Sequence, residues 1–124
     1  MRLLTPTRLA LTIAHAAADE GTGQPGPVAE IVTFRLIDGT NTADFLTAAK
    51  DMGPFLRGTG AMIRRTLSED HSGLWTDHII WTSLAAAQAA AAQMFERPEA
   101  QPFLAMINSD GVAMRHAPVH LQQE

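Results

Sequence analysis

The 124-residue chain contains no cysteine and no tyrosine. Without cysteine, the protein cannot form a disulfide, a thiolate zinc site, an iron–sulfur cluster or a cysteine nucleophile. Without tyrosine, no phenol can serve as an acid or a base. Charged residues make up only 18% of the chain and its net charge is -4. This balance argues against a general nucleic-acid binder, because such proteins carry a basic face.

Long hydrophobic runs are also missing, since no apolar stretch reaches the roughly 18 residues of a membrane-spanning helix. Residues 1–27 are predicted to form an N-terminal extension that ends in a linker rich in glycine and proline. Residues 9–18 resemble a short secretion signal with cleavage after Ala18. A helix that begins with Thr5 as cap and Pro6 at its first position is the favoured alternative. We therefore predict a cytoplasmic protein.

Residues 28–124 are predicted to form one domain with the element order strand, helix, strand, strand, helix, strand. Segments rich in β-branched and aromatic residues predict strands over 28–37, 61–67, 74–82 and 112–117, the last preceded by a turn over 108–111. Asn41 and Ser83 are the predicted caps of the two main helices. This order indicates an α+β, ferredoxin-like βαββαβ fold. We expect a four-stranded antiparallel sheet of order 4-1-3-2 with helices on one face.

The face of the sheet that the helices leave open is predicted to be apolar. Ile31, Ile37, Ile63 and Ile80 are assigned to it by their positions in the strands. His78 lies on the same face. An exposed apolar patch of this kind needs a partner, and a two-fold homodimer that closes a β-barrel is the simplest one.

Several segments resemble the dimeric α/β-barrel superfamily. They are residues 30–36 (EIVTFRL) with Gly39, Gly60, residues 75–83 (WTDHIIWTS) and residues 114–116 (MRH). The superfamily includes antibiotic-biosynthesis monooxygenase-like domains, NIPSNAP-like domains and stress-responsive barrel proteins. The resemblance covers residues 28–117 and implies the fold, but the group hosts many reactions and a fold does not fix one.

The heme-degrading branch of that superfamily can be tested residue by residue. Its tryptophan on the third strand corresponds to Trp81, but Val32 stands where that branch has an asparagine. Its histidine ligand would fall within residues 89–92, which contain no histidine. These departures argue against heme cleavage, and we predict no cofactor and no metal.

Asp77 is the first predicted catalytic residue. It shares one face of the third strand with Trp75, Ile79 and Trp81, and the resemblance implies that this face looks into a cleft between sheet and helices. A carboxylate among apolar side chains would accept a proton more readily than one in water. The alternative, left open, is an ion pair with Arg35 or Arg64, or a position at a solvent-facing strand end.

Glu30 and His116 are the other predicted catalytic residues. In a 4-1-3-2 sheet the first strand lies beside the third and the fourth, so Glu30 can approach Trp81 on one side and His116 on the other. A Glu–His pair can transfer protons, with the carboxylate fixing the histidine tautomer. An ordinary hydrogen-bonded pair at a sheet end is the favoured alternative. Trp81, Trp75 and Phe34 are the predicted substrate-binding residues. For Trp81 the favoured alternative is that it fills the core beneath the alanine-rich helix.

These observations predict a small dimeric enzyme that acts on a hydrophobic, aromatic or polyketide-like small molecule. Its chemistry would be cofactor-free monooxygenation or acid–base catalysis. The alternative is a non-catalytic dimeric ligand-binding or stress-related domain. Its cleft would be filled by Phe34, Met94, Phe95, Phe103 and Met106. Neither function involves nucleic acid or a membrane, and an open pocket beside Trp81 and Asp77 distinguishes them.

Overall fold

A computed structural model of the protein describes residues 26–124, so the predictions for the N-terminal extension lie outside the described residues. The strands are β1 (Val28–Leu36), β2 (Met62–Glu69), β3 (Trp75–Trp81) and β4 (Ile107–Pro118). The helices are α1 (Thr42–Asp51), α2 (Gly53–Gly58), α3 (Leu84–Met94) and α4 (Gln101–Ala105), with a 3-10 turn at Pro98–Ala100 before α4. In residues 26–124 there is no helix of the length and apolarity that a bilayer span requires.

The four strands form one antiparallel sheet of order β2-β3-β1-β4, which is the predicted order read from the other edge. β1 lies in the centre and pairs with β3 on one side and β4 on the other. The ferredoxin-like α+β fold predicted from the element order is therefore confirmed. This arrangement matters for function because it places side chains from β4, β1, β3 and β2 in rows across one face.

Both predicted helix caps are present. The Asn41 side chain accepts a hydrogen bond from the Asp44 backbone N–H at 3.0 Å, and Ser83 Oγ accepts one from the Ala86 N–H at 3.1 Å. Each bond satisfies a backbone donor that has no partner within its helix. The first helix ends at Asp51, and Gly53 and Pro54 begin the separate helix α2.

The helices pack on one face of the sheet, where they enclose the hydrophobic core. Its largest fully buried side chains are Trp81, Phe34, Phe45, Met52 and Leu104. The opposite face is open in the single chain, and Ile63 on β2 is 48% exposed. Ile37, just beyond β1, is 43% exposed. Ile80 on β3 is nevertheless buried.

Two irregularities in strand pairing differ from the predictions. β4 begins at Ile107, whereas the sequence pattern predicted a turn over 108–111 and a strand only from 112. Ile107 pairs with Leu36 and Asn108 with Arg35 before the register shifts, so the turn-forming residues bulge out of a strand that has already begun. In β2, an extra residue stands between Met62, which faces Trp81, and Arg64, which faces Ile80. That residue is Ile63.

Candidate active site

A pocket opens between the sheet and the helices beside Trp81 and Asp77. It contains about 660 Å³ of empty space, part of which is open to solvent. Most of its lining is apolar and includes Val32, Phe34, Ile79, Met94 and Phe103. Among the residues 26–124 that line it, three carry charge: Glu30, Arg65 and Asp77. A mostly apolar concavity with a few converging polar groups is the usual form of a small-molecule site.

Glu30 is held by two side chains on the neighbouring strands. Its Oε2 lies 3.1 Å from Nε2 of His116 on β4, and its Oε1 accepts a hydrogen bond of 3.3 Å from the indole N–H of Trp81 on β3. Glu30 and His116 are directly paired residues of adjacent strands. All three residues are buried. The pairing of β1 with both neighbours therefore creates a three-member polar network inside an apolar core.

The carboxylate of Glu30 constrains the proton positions on His116. An ionised carboxylate only accepts hydrogen bonds, so Nε2 of His116 must be the donor in this pair. The His116 side chain is only 2% exposed, and its Nδ1 has no hydrogen-bond partner among the described residues. Leaving a bare lone pair there costs less than leaving a buried imidazolium N–H unpaired. When Glu30 is ionised, the geometry thus places a proton on Nε2 of His116.

Asp77 forms an ion pair with Arg65, a residue of β2. Arg65 Nε donates to Asp77 Oδ1 at 3.0 Å, and Arg65 Nη2 donates to Asp77 Oδ2 at 2.8 Å. Side-chain exposure is 14% for Arg65 and 9% for Asp77, so this bidentate ion pair is largely shielded from water. Burial makes such a pair strong and makes the loss of either partner costly.

The guanidinium of Arg65 has two further contacts. Its Nη1 donates to the backbone carbonyl of Ala49 at 2.9 Å, and its Cζ lies 5.5 Å from the ring centroid of Phe103. Ala49 belongs to the last turn of α1, where its carbonyl also accepts a hydrogen bond from the Met52 backbone N–H at 3.3 Å and where a cation is favoured by the helix dipole. Arg65 therefore connects β2, β3, α1 and α4 at the wall of the pocket.

The structure brings most of the predicted site residues together. Glu30, Asp77, Trp81 and Phe34 line the pocket, and His116 lies behind Glu30. Trp75 is buried and packs edge-on against Phe45 at 4.9 Å between ring centroids, and it is not part of the pocket lining. For Asp77, the alternative of an ion pair is the one observed, but its partner is Arg65 and neither Arg35 nor Arg64.

Arg65 is the charged residue of the pocket lining that the sequence analysis did not predict. Simple alternation places residues 63 and 65 on the same face, and Ile63 had been assigned to the open face. The bulge at Ile63 changes the alternation, so Arg65 pairs with Ile79 and points to the helix-covered side. A signal was available in Gly60 and the paired arginines at 64 and 65, because one of two adjacent strand residues must face inward.

No protein-family model and no curated protein sequence matches the chain. Solved structures do match its fold. The cofactor-independent oxygenase SnoaB from Streptomyces nogalater superposes with a TM-score of 0.58 at 19% identity, over 80% of this chain and 96% of SnoaB. A Caulobacter crescentus protein named as a candidate antibiotic biosynthesis monooxygenase superposes with a TM-score of 0.63 at 8% identity. The match covers 78% of this chain and 92% of the Caulobacter chain.

A third match is a hydroxynitrile lyase from Passiflora edulis, with a TM-score of 0.55 at 15% identity over 82% of this chain and all of the lyase. These identities are low, so the matches establish the fold alone. Any reaction has to be argued from the residues of the pocket. The chain has the ferredoxin-like α+β fold of the antibiotic-biosynthesis-monooxygenase-like structures.

Proposed function

We propose that the protein is a small enzyme that binds a flat, hydrophobic molecule of aromatic or polyketide type in this pocket and oxygenates it without a cofactor. The observation that carries the proposal is the carboxylate of Glu30, which lines an apolar pocket and is held by His116 and Trp81. The similarity in fold to SnoaB, a cofactor-independent oxygenase, supports the reaction class.

Glu30 is the proposed proton acceptor because it is the pocket carboxylate without an arginine partner. Asp77 is less suited to that role, since both of its oxygens accept hydrogen bonds from Arg65. In the proposed reaction, a CH₂ group next to a carbonyl or aromatic ring loses one proton to Glu30, and the electron pair spreads into the ring system. Dioxygen is the oxidant. One oxygen atom converts CH₂ to C=O, and the other leaves as water with the two hydrogens.

The proton-transfer step can be tested with 2-tetralone, a bicyclic ketone with an acidic CH₂. We expect the protein to accelerate exchange of that CH₂ with deuterium from solvent, measured by NMR without oxygen. Glu30→Gln keeps the size of the side chain and an oxygen that can accept from Trp81, but it removes the base. Loss of a general base lowers the rate about 10²- to 10⁴-fold.

Oxygen uptake by the same samples in air tests the second half of the proposal. Uptake that depends on Glu30 supports oxygenation, whereas exchange without uptake restricts the protein to acid–base chemistry. Equal exchange rates in the natural protein and in Glu30→Gln would contradict the proposal altogether. The non-catalytic alternative is less well supported because Phe34, Met94 and Phe103 line the pocket and leave it open.

The proposed enzyme is a homodimer joined through the open face of the sheet. Ile63 and Ile37 are the large exposed apolar residues at that face. Because exposed apolar surface favours association, we expect Ile63→Lys to shift the protein from dimer to monomer in sedimentation velocity. Leu46→Lys is the matched control, since Leu46 is 38% exposed on α1, a helix on the other side of the sheet. A monomeric natural protein would remove this part of the proposal.

A further inference from the structure

Four residues form a row across the helix-covered face of the sheet. His116 on β4 pairs with Glu30 on β1, Glu30 pairs with Ile79 on β3, and Ile79 pairs with Arg65 on β2. Glu30 and Arg65 are therefore separated by one strand, which puts their backbones roughly 10 Å apart, or two strand spacings. Between them lies the apolar side chain of Ile79, which also lines the pocket.

Arg65 keeps hydrogen-bonding capacity at this wall. A guanidinium has five N–H donors. Three of them are used within the described residues, by the two oxygens of Asp77 and by the carbonyl of Ala49. One N–H on each terminal nitrogen remains. Asp77, Ala49 and the Phe103 ring already fix the guanidinium. It can therefore donate to a ligand with little further loss of side-chain conformational entropy.

The charges of the pocket determine which partner is favoured. Asp77 neutralises Arg65, and Glu30 leaves the pocket with one negative charge when His116 is neutral. A carboxylate ligand would therefore meet a guanidinium already paired and an unneutralised Glu30. An uncharged carbonyl oxygen avoids that repulsion and still gains a charge-assisted hydrogen bond from Arg65.

We infer that Arg65, fixed by Asp77, selects uncharged ketones and holds their carbonyl oxygen, with the ring over Ile79 and the acidic carbon at Glu30. This inference rests on the proposed function in two respects, the pocket as the ligand site and Glu30 as the base; the preference for a carbonyl depends on the first alone. Arg65 is thus a specificity-determining residue. When Glu30 removes the proton, the negative charge that develops on the carbonyl oxygen lies beside the guanidinium, which stabilises it.

The test compares binding of 2-tetralone with that of tetralin, the same ring system without the carbonyl. Both are titrated by NMR without oxygen, and the indole N–H signal of Trp81 is the reporter. We expect 2-tetralone to bind the natural protein about tenfold more tightly, the value of one good hydrogen bond. Only 2-tetralone should shift the Arg65 N–H signals. The charged analogue, tetralin-2-carboxylate, should bind more weakly than 2-tetralone.

Two variants separate this inference from the proposed catalysis. Glu30→Gln should keep the preference for 2-tetralone, because Arg65 is unchanged. The double variant Arg65→Met with Asp77→Leu replaces both charges by apolar groups and leaves neither unpaired. It should bind tetralin as the natural protein does and lose the preference. Equal affinity for both compounds in the natural protein, or a preference that survives the double variant, would overturn the role of Arg65.

Discussion

Two buried carboxylates lie on the same face of the sheet, and their partners differ. Asp77 is bound by Arg65 through both oxygens, and the same guanidinium reaches Ala49 and lies over Phe103. Glu30 has weaker partners, a histidine at 3.1 Å and an indole N–H at 3.3 Å. A guanidinium keeps all its protons at any ordinary pH, whereas an imidazole can carry one ring proton or two.

From this difference we infer that the two pairs have different roles in the same pocket. The Arg65–Asp77 pair has a fixed charge state and several anchors, which suits a group that holds structure and positions a ligand. The Glu30–His116 pair is the one proposed to exchange protons, and His116 has an Nδ1 with no partner among the described residues. A proton-transfer site needs groups that can change their protonation state, whereas a stabilising ion pair keeps both of its charges.

The largest expected effect comes from breaking the fixed pair. Arg65→Met leaves Asp77 buried and unpaired, which should lower the free energy of unfolding by about 3–5 kcal/mol. Urea denaturation measures this change. The double variant Arg65→Met with Asp77→Leu should recover most of the loss, because no isolated charge remains. If the single variant were as stable as the natural protein, the pair could not be the structural anchor inferred from its geometry.

A smaller effect is expected from the proton-exchanging pair. His116→Gln removes the imidazole but keeps a side-chain N–H that can reach Glu30, so we expect a loss of about 0.5–1.5 kcal/mol, the usual value of one hydrogen bond. The same denaturation experiment applies. The essential result is that Arg65→Met loses more free energy of unfolding than His116→Gln. The reverse order would show that His116 contributes more to stability than Arg65.

An exposed carboxylate provides the smallest effect and a reference for both buried ones. Hydrogen bonds from the Ser72 hydroxyl and then from the Leu74 and Ser72 backbone N–H groups hold the pKa of Asp70 below its ordinary value of 3.8. A lowered pKa in the folded state means that ionised Asp70 stabilises the β2–β3 hairpin above that value. The stabilisation disappears as the pH falls through the folded-state pKa.

Asp70→Asn should therefore destabilise the protein slightly at neutral pH and not at all in strong acid. The measurement is the midpoint of thermal unfolding for both proteins over a falling pH series. The two curves should converge at low pH. A constant difference at every pH would mean that the charge of Asp70 contributes nothing to the hairpin.

The sequence was sufficient for the fold and for one of the two pairs. Strand order alone placed Glu30 between Trp81 and His116, because the 4-1-3-2 order requires the first strand to lie between the third and the fourth. The other pair was missed because of the bulge at Ile63, which depends on how β2 meets β3, and the adjacent arginines at 64 and 65 indicate only that one of the two faces inward. The early start of β4 was missed for a related reason, since its turn-like residues bulge within a strand.

The central claim is that Glu30 is an ionised proton acceptor, and the protonation of His116 tests it most directly. The ¹⁵N NMR signals of the His116 ring distinguish a protonated nitrogen from a bare one. At neutral pH we expect Nε2, which faces Glu30, to carry a proton. In Glu30→Gln, where the carboxylate is gone, we expect the Nε2 signal to change. A bare Nε2 with the proton on Nδ1 would mean that Glu30 itself is protonated, and Glu30 could not then be the base.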